Sequence, residues 1–192
     1  MSSQIGIMGG SFDPPHLGHL SIARSFANSS HVDELWIIPT PVPPHKNSED
    51  LTDFDHRYRM AHKNFGSESN IAVYDFERNL PAPHYTYETL SALSKQFPHH
   101  TFKLCIGQDS LQSIKQWHKW EQILSEYELL VARRPGYGSD ISRNKENVVY
   151  IEHDPHPASA TKIRDVLNSG RIPEEYLSEK VSTYIKENNL YL

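Results

Sequence analysis

Short apolar runs recur along the chain, separated by helical, polar or proline-rich stretches. Ile5–Met8, Leu35–Ile38, Ile71–Tyr74, Phe102–Ile106, Leu129–Ala132 and Val148–Ile151 read as strands, several of them apolar on both faces. Such runs suit central strands of a parallel sheet covered on both sides. Between them, Leu20 to Ala27 is amphipathic, and Leu90, Leu93 and Phe97 fall on one helical face. Ile163, Val166 and Leu167 do the same, followed by Leu177, Val181 and Tyr184. Ser169-Gly170 supplies a helix stop, and Pro173 suits the first turn of the last helix. The alternation predicts an α/β fold, a doubly wound, mainly parallel sheet with helices on both faces. It reads as one domain over residues 1–192, with a C-terminal helical part from about residue 155 and no internal repeat.

Three stretches resist regular structure: Pro39 to Asp53 with four prolines, Arg78 to Tyr85 with two, and the polar Arg133 to Asn147. Loops of this length in a compact domain are often functional. In open α/β sheets, ligands bind beyond the carboxyl ends of the strands, where such loops emerge.

Composition narrows the partners. The 192 residues are 37% hydrophobic and 22% charged, with a formal net charge of −5. Proteins that track a nucleic-acid backbone carry a basic face, which this balance disfavours. A small anionic ligand held by a local cluster fits better. No apolar run approaches the roughly 20 residues of a membrane span, and no basic segment with an apolar signal core opens the chain. The lone Cys105 reads as a buried strand thiol, and without an internal disulfide the cytoplasm is the simplest compartment. His99, His100, His153 and His156 read as solvated loop residues.

Residues 9–20, Gly-Gly-Ser-Phe-Asp-Pro-Pro-His-Leu-Gly-His-Leu, lie between the first apolar run and the first amphipathic stretch. That is strand, glycine turn, helix. Free amides and the dipole at a helix start favour an anion, and Gly9 and Gly10 let backbone approach it closely. His16 and His19 lie about one helical turn apart on one face, so both can bond one polyphosphate. A structural histidine pair or half of a metal site are the other readings. The second constellation, Ser159-Ala-Thr-Lys-Ile-Arg164, opens the Ile163 helix. Ser159 or Thr161 can cap it, and Thr161, Lys162 and Arg164 make a cationic, donor-rich end. Two such helix starts suggest one polyphosphate bridging them.

Together these segments resemble the nucleotidylyltransferase superfamily. Val42-Pro-Pro-His-Lys46, His84-Tyr-Thr86, Gly107-Gln-Asp-Ser-Leu111, Trp117 and Arg133-Arg-Pro-Gly136 follow in the order of the bacterial nicotinate-nucleotide adenylyltransferases, and the match runs from residue 5 to Leu190-Tyr191. The resemblance implies a Rossmann-like fold and adenylyl transfer from ATP to nicotinate mononucleotide, in NAD biosynthesis. It implies ATP contacts at Gly9, Gly10, Ser11, Phe12, His16, Gly18, His19, Gly107, Asp109, Ser159, Thr161 and Arg164. His16, His19 and Arg164 would act catalytically, with His19 nearest the transferring phosphorus. Thr161 and Arg164 would grip the β- and γ-phosphates, Asp109 would accept from ribose hydroxyls, and Mg²⁺ would accompany ATP. Lys46 and Arg134 would take the mononucleotide phosphate, Trp117 would stack on the pyridine with His118 beside it, and amides at Thr86 would hold its carboxylate. Thr40 stands where many relatives have asparagine, and Ala158 replaces a bulkier aliphatic. Nicotinamide mononucleotide or phosphopantetheine as acceptor, or a nucleotide sensor without turnover, are the alternatives; a homo-oligomer is compatible with either reading.

Overall fold

The apolar runs become the six strands of one sheet in the computed structural model, which describes residues 2–44, 48–133 and 147–191. They are β1 (Gln4–Gly10), β2 (Glu34–Pro39), β3 (Ile71–Val73), β4 (Thr101–Gly107), β5 (Glu128–Arg133) and β6 (Val148–Glu152). Every pairing is parallel and the spatial order is β3-β2-β1-β4-β5-β6. The order reverses between β1 and β4, which opens a crevice at their carboxyl ends.

Alternation along each strand feeds two cores. Met8, Leu35, Ile37, Leu130 and Ala132 pack with Phe26 of α1 (Leu17–Ala27) and Phe65 of α2 (Phe54–Phe65). On the opposite face Ile5, Ile7, Trp36, Ile38, Leu129 and Val131 meet Leu90 and Leu93 of α3 (Thr86–Gln96) and Ile123 of α5 (Trp120–Glu126). Each fully buried Leu or Ile contributes about 2 kcal/mol. The short α4 (Gln108–Ser113) follows β4 directly. Cys105 is buried between the strands as a free thiol.

The C-terminal helices, α6 (Ala160–Asn168) and α7 (Glu179–Glu187), build a third cluster: Ile163, Leu167, Val181 and Ile185 close on Met60 of α2. Helix α2 is not announced by the hydrophobic pattern, because its buried face includes Arg57 and Asn64. The stop at Ser169-Gly170 is observed. Pro173, by contrast, lies outside α7, which Ser178 precedes as N-cap. The Pro173 carbonyl instead accepts from the Tyr176 N–H at 3.0 Å, and the Tyr176 carbonyl accepts from the Leu17 N–H at 2.9 Å. That second bond keeps the segment out of the helix and straps it to the start of α1. Among the described residues no helix is long and apolar enough to cross a membrane.

One side chain organises the loops above the sheet. Arg57 is 1% exposed. Its guanidinium donates to the carbonyls of Ser11, Thr40, Pro41 and Thr52 at 2.6–2.8 Å. Burial pulls its pKa down, opposed by the nearby Asp13 carboxylate. Arg57→Met should therefore lower unfolding free energy by about 3 kcal/mol or more, because several buried carbonyls lose their donor together. Denaturant unfolding checks this. A loss below about 1 kcal/mol would show that the loops hold themselves.

Candidate active site

The turn after β1 folds back on itself. Phe12 adopts φ +47°, a left-handed conformation unusual for a bulky residue. Its buried ring packs edge-on against His19 at 5.0 Å and Phe65 at 5.6 Å. A Cβ on Gly10 would come within 3.1 Å of that ring. At Gly18 a Cβ would stand 3.0 Å from His16 Nδ1 and 3.3 Å from the Ala158 carbonyl oxygen. The loop before α6 therefore lies directly on the start of α1, and the missing Cβ of Gly18 permits that approach.

His16 and His19 form a capping box made of two imidazoles. His16 Nδ1 accepts from the His19 N–H at 3.2 Å, and His19 Nδ1 accepts from the His16 N–H at 3.3 Å. The rings stack with centroids 3.6 Å apart and planes 18° from parallel. A ring accepting at Nδ1 carries its proton on Nε2, so each histidine keeps one outward N–H donor. Burial, then the field of His156, lowers the His16 pKa to about 4. Burial, then His16, pushes His19 well below the ordinary histidine value. Both rings are neutral at pH 7. The structural-pair reading is therefore observed: one nitrogen of each ring serves the fold, and the other carries the N–H. Fewer amides are free than the sequence suggests, since those of Leu17 and His19 are already bonded.

The two distant segments converge. Arg164 Nη1 donates to the Asp13 carbonyl at 2.6 Å, three positions before His16. The Asp13 carboxylate accepts from the Tyr191 hydroxyl at 2.6 Å and from the Thr52 N–H at 3.4 Å. Ser159 is the N-cap of α6 by position, yet its side chain makes no capping bond. Thr161 is exposed in the first turn of the same helix.

Beside this constellation lies a cavity of about 800 Å³. Gly9, Gly10 and Ser11 form its phosphate-turn wall, Gly107 the β4 wall, and Thr86, Trp117 and His118 the far side. Thr86 is the first residue of α3. His118 stacks on Tyr85 with centroids 4.3 Å apart, and its Nε2 lies 3.4 Å from Glu88. His16, Gly18, His19, Asp109, Ser159, Thr161 and Arg164 do not line the cavity; Asp109 is exposed on α4. The candidates Lys46 and Arg134 lie outside the described residues.

Sequence reasoning passed over Arg57, Glu77 and Tyr191, whose roles depend on partners far away in the chain. Glu77 is a buried carboxyl on the cavity wall, in the short segment between the Ile71–Tyr74 run and the Arg78 to Tyr85 stretch. Three of the histidines expected in solvent are not free there, and His153 has its Nδ1 3.3 Å from the Arg133 carbonyl oxygen. His100 packs against Trp36 and Phe102. His156 accepts from the Ala158 N–H at 3.2 Å and adds to the field on His16. Their loops fold against the core, which their spacing alone does not reveal.

The buried histidines give stability a pH dependence. The unfolded chain binds their protons below about pH 6.5, whereas folded His16 resists until about pH 4. Stability contributed by the neutral pair is present above that window and declines as pH falls through it. His16→Asn retains a capping acceptor without that titration. Thermal unfolding between pH 7.5 and pH 5 should show a smaller loss for the variant than for the parent, and equal losses would contradict the assignment.

Comparison with known proteins identifies the family and the fold. The cytidylyltransferase-like family model matches residues 7–166. A probable nicotinate-nucleotide adenylyltransferase of Oceanobacillus iheyensis is 35% identical, over 98% of this chain and 96% of its own length. The nicotinate-nucleotide adenylyltransferase of Bacillus subtilis is 31% identical, over 98% of both chains. The fold is shared with a nicotinic acid mononucleotide adenylyltransferase of Plasmodium falciparum, solved with APC. There the TM-score is 0.81 at 23% identity, covering 98% of this chain and 97% of that one. The same protein solved with NaAD also gives a TM-score of 0.81. On the strength of the family match and the near full-length likeness to these relatives, the chain belongs to the cytidylyltransferase-like family, among the nicotinate-nucleotide adenylyltransferases.

Proposed function

We propose that this protein transfers the adenylyl group of ATP to nicotinate mononucleotide, giving nicotinate adenine dinucleotide and pyrophosphate. One observation carries the reading: the glycine turn of the phosphate constellation is also a wall of the cavity that holds Thr86 and Trp117. A mononucleotide seated in that cavity directs its phosphate toward the turn where the triphosphate would lie. An oxygen of the mononucleotide phosphate attacks the α-phosphorus, the bond to the bridging oxygen breaks, and pyrophosphate leaves with the electron pair. No covalent enzyme intermediate is required, so catalysis consists of alignment and stabilisation of charge.

The chain's own groups divide that work. His16 and His19 offer Nε2–H donors to phosphate oxygens, with the rings held in place by their reciprocal amide bonds. Such rings present N–H groups rather than lone pairs, so they suit phosphate better than metal. Mg²⁺ would be held mainly by triphosphate oxygens and water, neutralising the departing pyrophosphate. Arg164, tied to the Asp13 carbonyl, keeps its remaining N–H groups for the β- and γ-phosphates beside Thr161. Ser11, Phe12, Gly18, Gly107, Asp109 and Ser159 complete the proposed ATP contacts. The Thr86 amide, at the start of α3, would take the pyridine carboxylate, and Trp117 would stack on the ring. Lys46 and Arg134 remain the candidates for the mononucleotide phosphate.

Pyrophosphate release from ATP and Mg²⁺ tests the reading. Nicotinate mononucleotide should be turned over in clear preference to nicotinamide mononucleotide at pH 7, and phosphopantetheine not at all. Equal or reversed preference defeats the substrate assignment, and nucleotide binding without pyrophosphate would mark a sensor. His19→Ala should depress turnover by about 10²–10³-fold, as loss of one preorganised donor does. Unchanged turnover in the folded variant would remove His19 from the mechanism.

A further inference from the structure

Glu77 sits on a 3₁₀ turn, Phe76–Asn79, between β3 and α3. It is 4% exposed and lines the cavity with Thr40, His84, Thr86 and Thr89. Its Oε1 accepts from the Thr89 hydroxyl at 2.6 Å. Among the described residues its Oε2 is buried with no hydrogen-bond partner in range, although the Thr40 hydroxyl favours the anion of the same carboxyl. A buried carboxyl oxygen left unmatched on a ligand cavity wall is an unfilled half of a hydrogen bond. Thr89 belongs to the first turn of α3, the helix whose start would hold the pyridine carboxylate. Glu77 therefore shares the cavity wall with Thr86 and Thr89, against which the pyridine 3-substituent would rest.

Among the described residues, the charged groups around Glu77 are engaged elsewhere. On its own turn Arg78 pairs with Asp55 of α2 and with Asp75. On α3, Glu88 is bound by Lys119 and approached by His118. In the loop before α3, burial lowers the pKa of His84, whose Nδ1 also lacks a partner. From the end of β2 only the neutral Thr40 faces it. Burial outweighs the two hydroxyls and pushes the Glu77 carboxyl up to about 7. Glu77 is thus poised between an acid that donates and an anion that accepts.

We infer that Glu77 Oε2 is the side-chain contact for the pyridine 3-substituent, and that the proton it carries decides between an acid and an amide at that position. This assignment rests on the adenylyl-transfer reading. Protonated, Glu77 donates from Oε2 to a nicotinate carboxylate. Ionised, it repels that carboxylate in a desolvated pocket and accepts instead from the NH₂ of a carboxamide. The Thr86 end of α3 favours the acid throughout, so Glu77 adds a pH-dependent discrimination to a constant one.

The test is the ratio of kcat/KM for nicotinate over nicotinamide mononucleotide, followed from pH 6 to pH 8. Both acceptors share the phosphate, the ATP and every other titrating group, so those contributions cancel. The ratio should fall by at least about tenfold across that range, as a single ionisation near pH 7 requires, and further where the amide gains as the acid loses. Glu77→Gln should flatten it, and Thr89→Val, by removing the donor that favours the anion, should move the midpoint upward. A flat ratio in the parent overturns the assignment, as does an unchanged fall in E77Q or an unmoved midpoint in T89V. If E77Q does not fold, the parent profile and T89V still decide. Absence of pyrophosphate with both acceptors overturns the adenylyl-transfer reading and this assignment with it. Turnover of nicotinate mononucleotide with a flat ratio overturns Glu77 alone.

Discussion

Strands β1 and β2 end inside the protein, where their neighbours in the sheet no longer supply hydrogen bonds to the chain that continues. Buried backbone carbonyls and amides must be satisfied by something. Here polar side chains from elsewhere in the fold do it. Arg57 collects carbonyls from the turns after both strands and from Thr52. Arg164 takes the Asp13 carbonyl, and the Asp13 side chain holds Thr52 and Tyr191. His16 and His19 satisfy each other's amides. Every one of these bonds also fixes a residue or a loop at the edge of the candidate site.

The overlap of structural and chemical duties explains the electrostatics. Burial that makes the loops rigid also keeps the two imidazoles neutral and lets Glu77 retain a proton near pH 7. Neutral donors held in a desolvated place need little rearrangement as phosphate charge develops. Arg57 remains the buried cation beside Asp13, while the guanidinium of Arg164 is anchored through one nitrogen and left with donors to spare.

The C-terminal helical part contributes by position more than by bulk. Helices α6 and α7 pack on α2 rather than on the sheet. That arrangement brings Arg164 and the Tyr191 hydroxyl onto Asp13 in the turn before α1, and the Ala158 and Tyr176 carbonyls onto the first turn of α1 itself. A separate layer over the phosphate turn follows from Met60 and Phe65 facing different clusters on one helix.

The six strands were legible in the chain because each apolar run must fill both faces of a covered sheet, and that demand is written locally. The strand–glycine–helix segment was legible for the same reason, and so was the second helix start at Ser159. Helix α2 was not, since Arg57 and Asn64 occupy buried positions that a hydrophobic pattern leaves blank. Pro173 misled because its role is set by the bond from Leu17 to Tyr176, formed across most of the chain. Glu77 carried no signal at all: a glutamate between a strand and a proline-containing stretch becomes a buried acid only when Thr89 and Thr40 close over it. Periodicity and motif spacing record what a residue needs from its near neighbours. Burial, protonation and the pairing of distant backbone groups depend on which surfaces meet, and only the folded chain decides that.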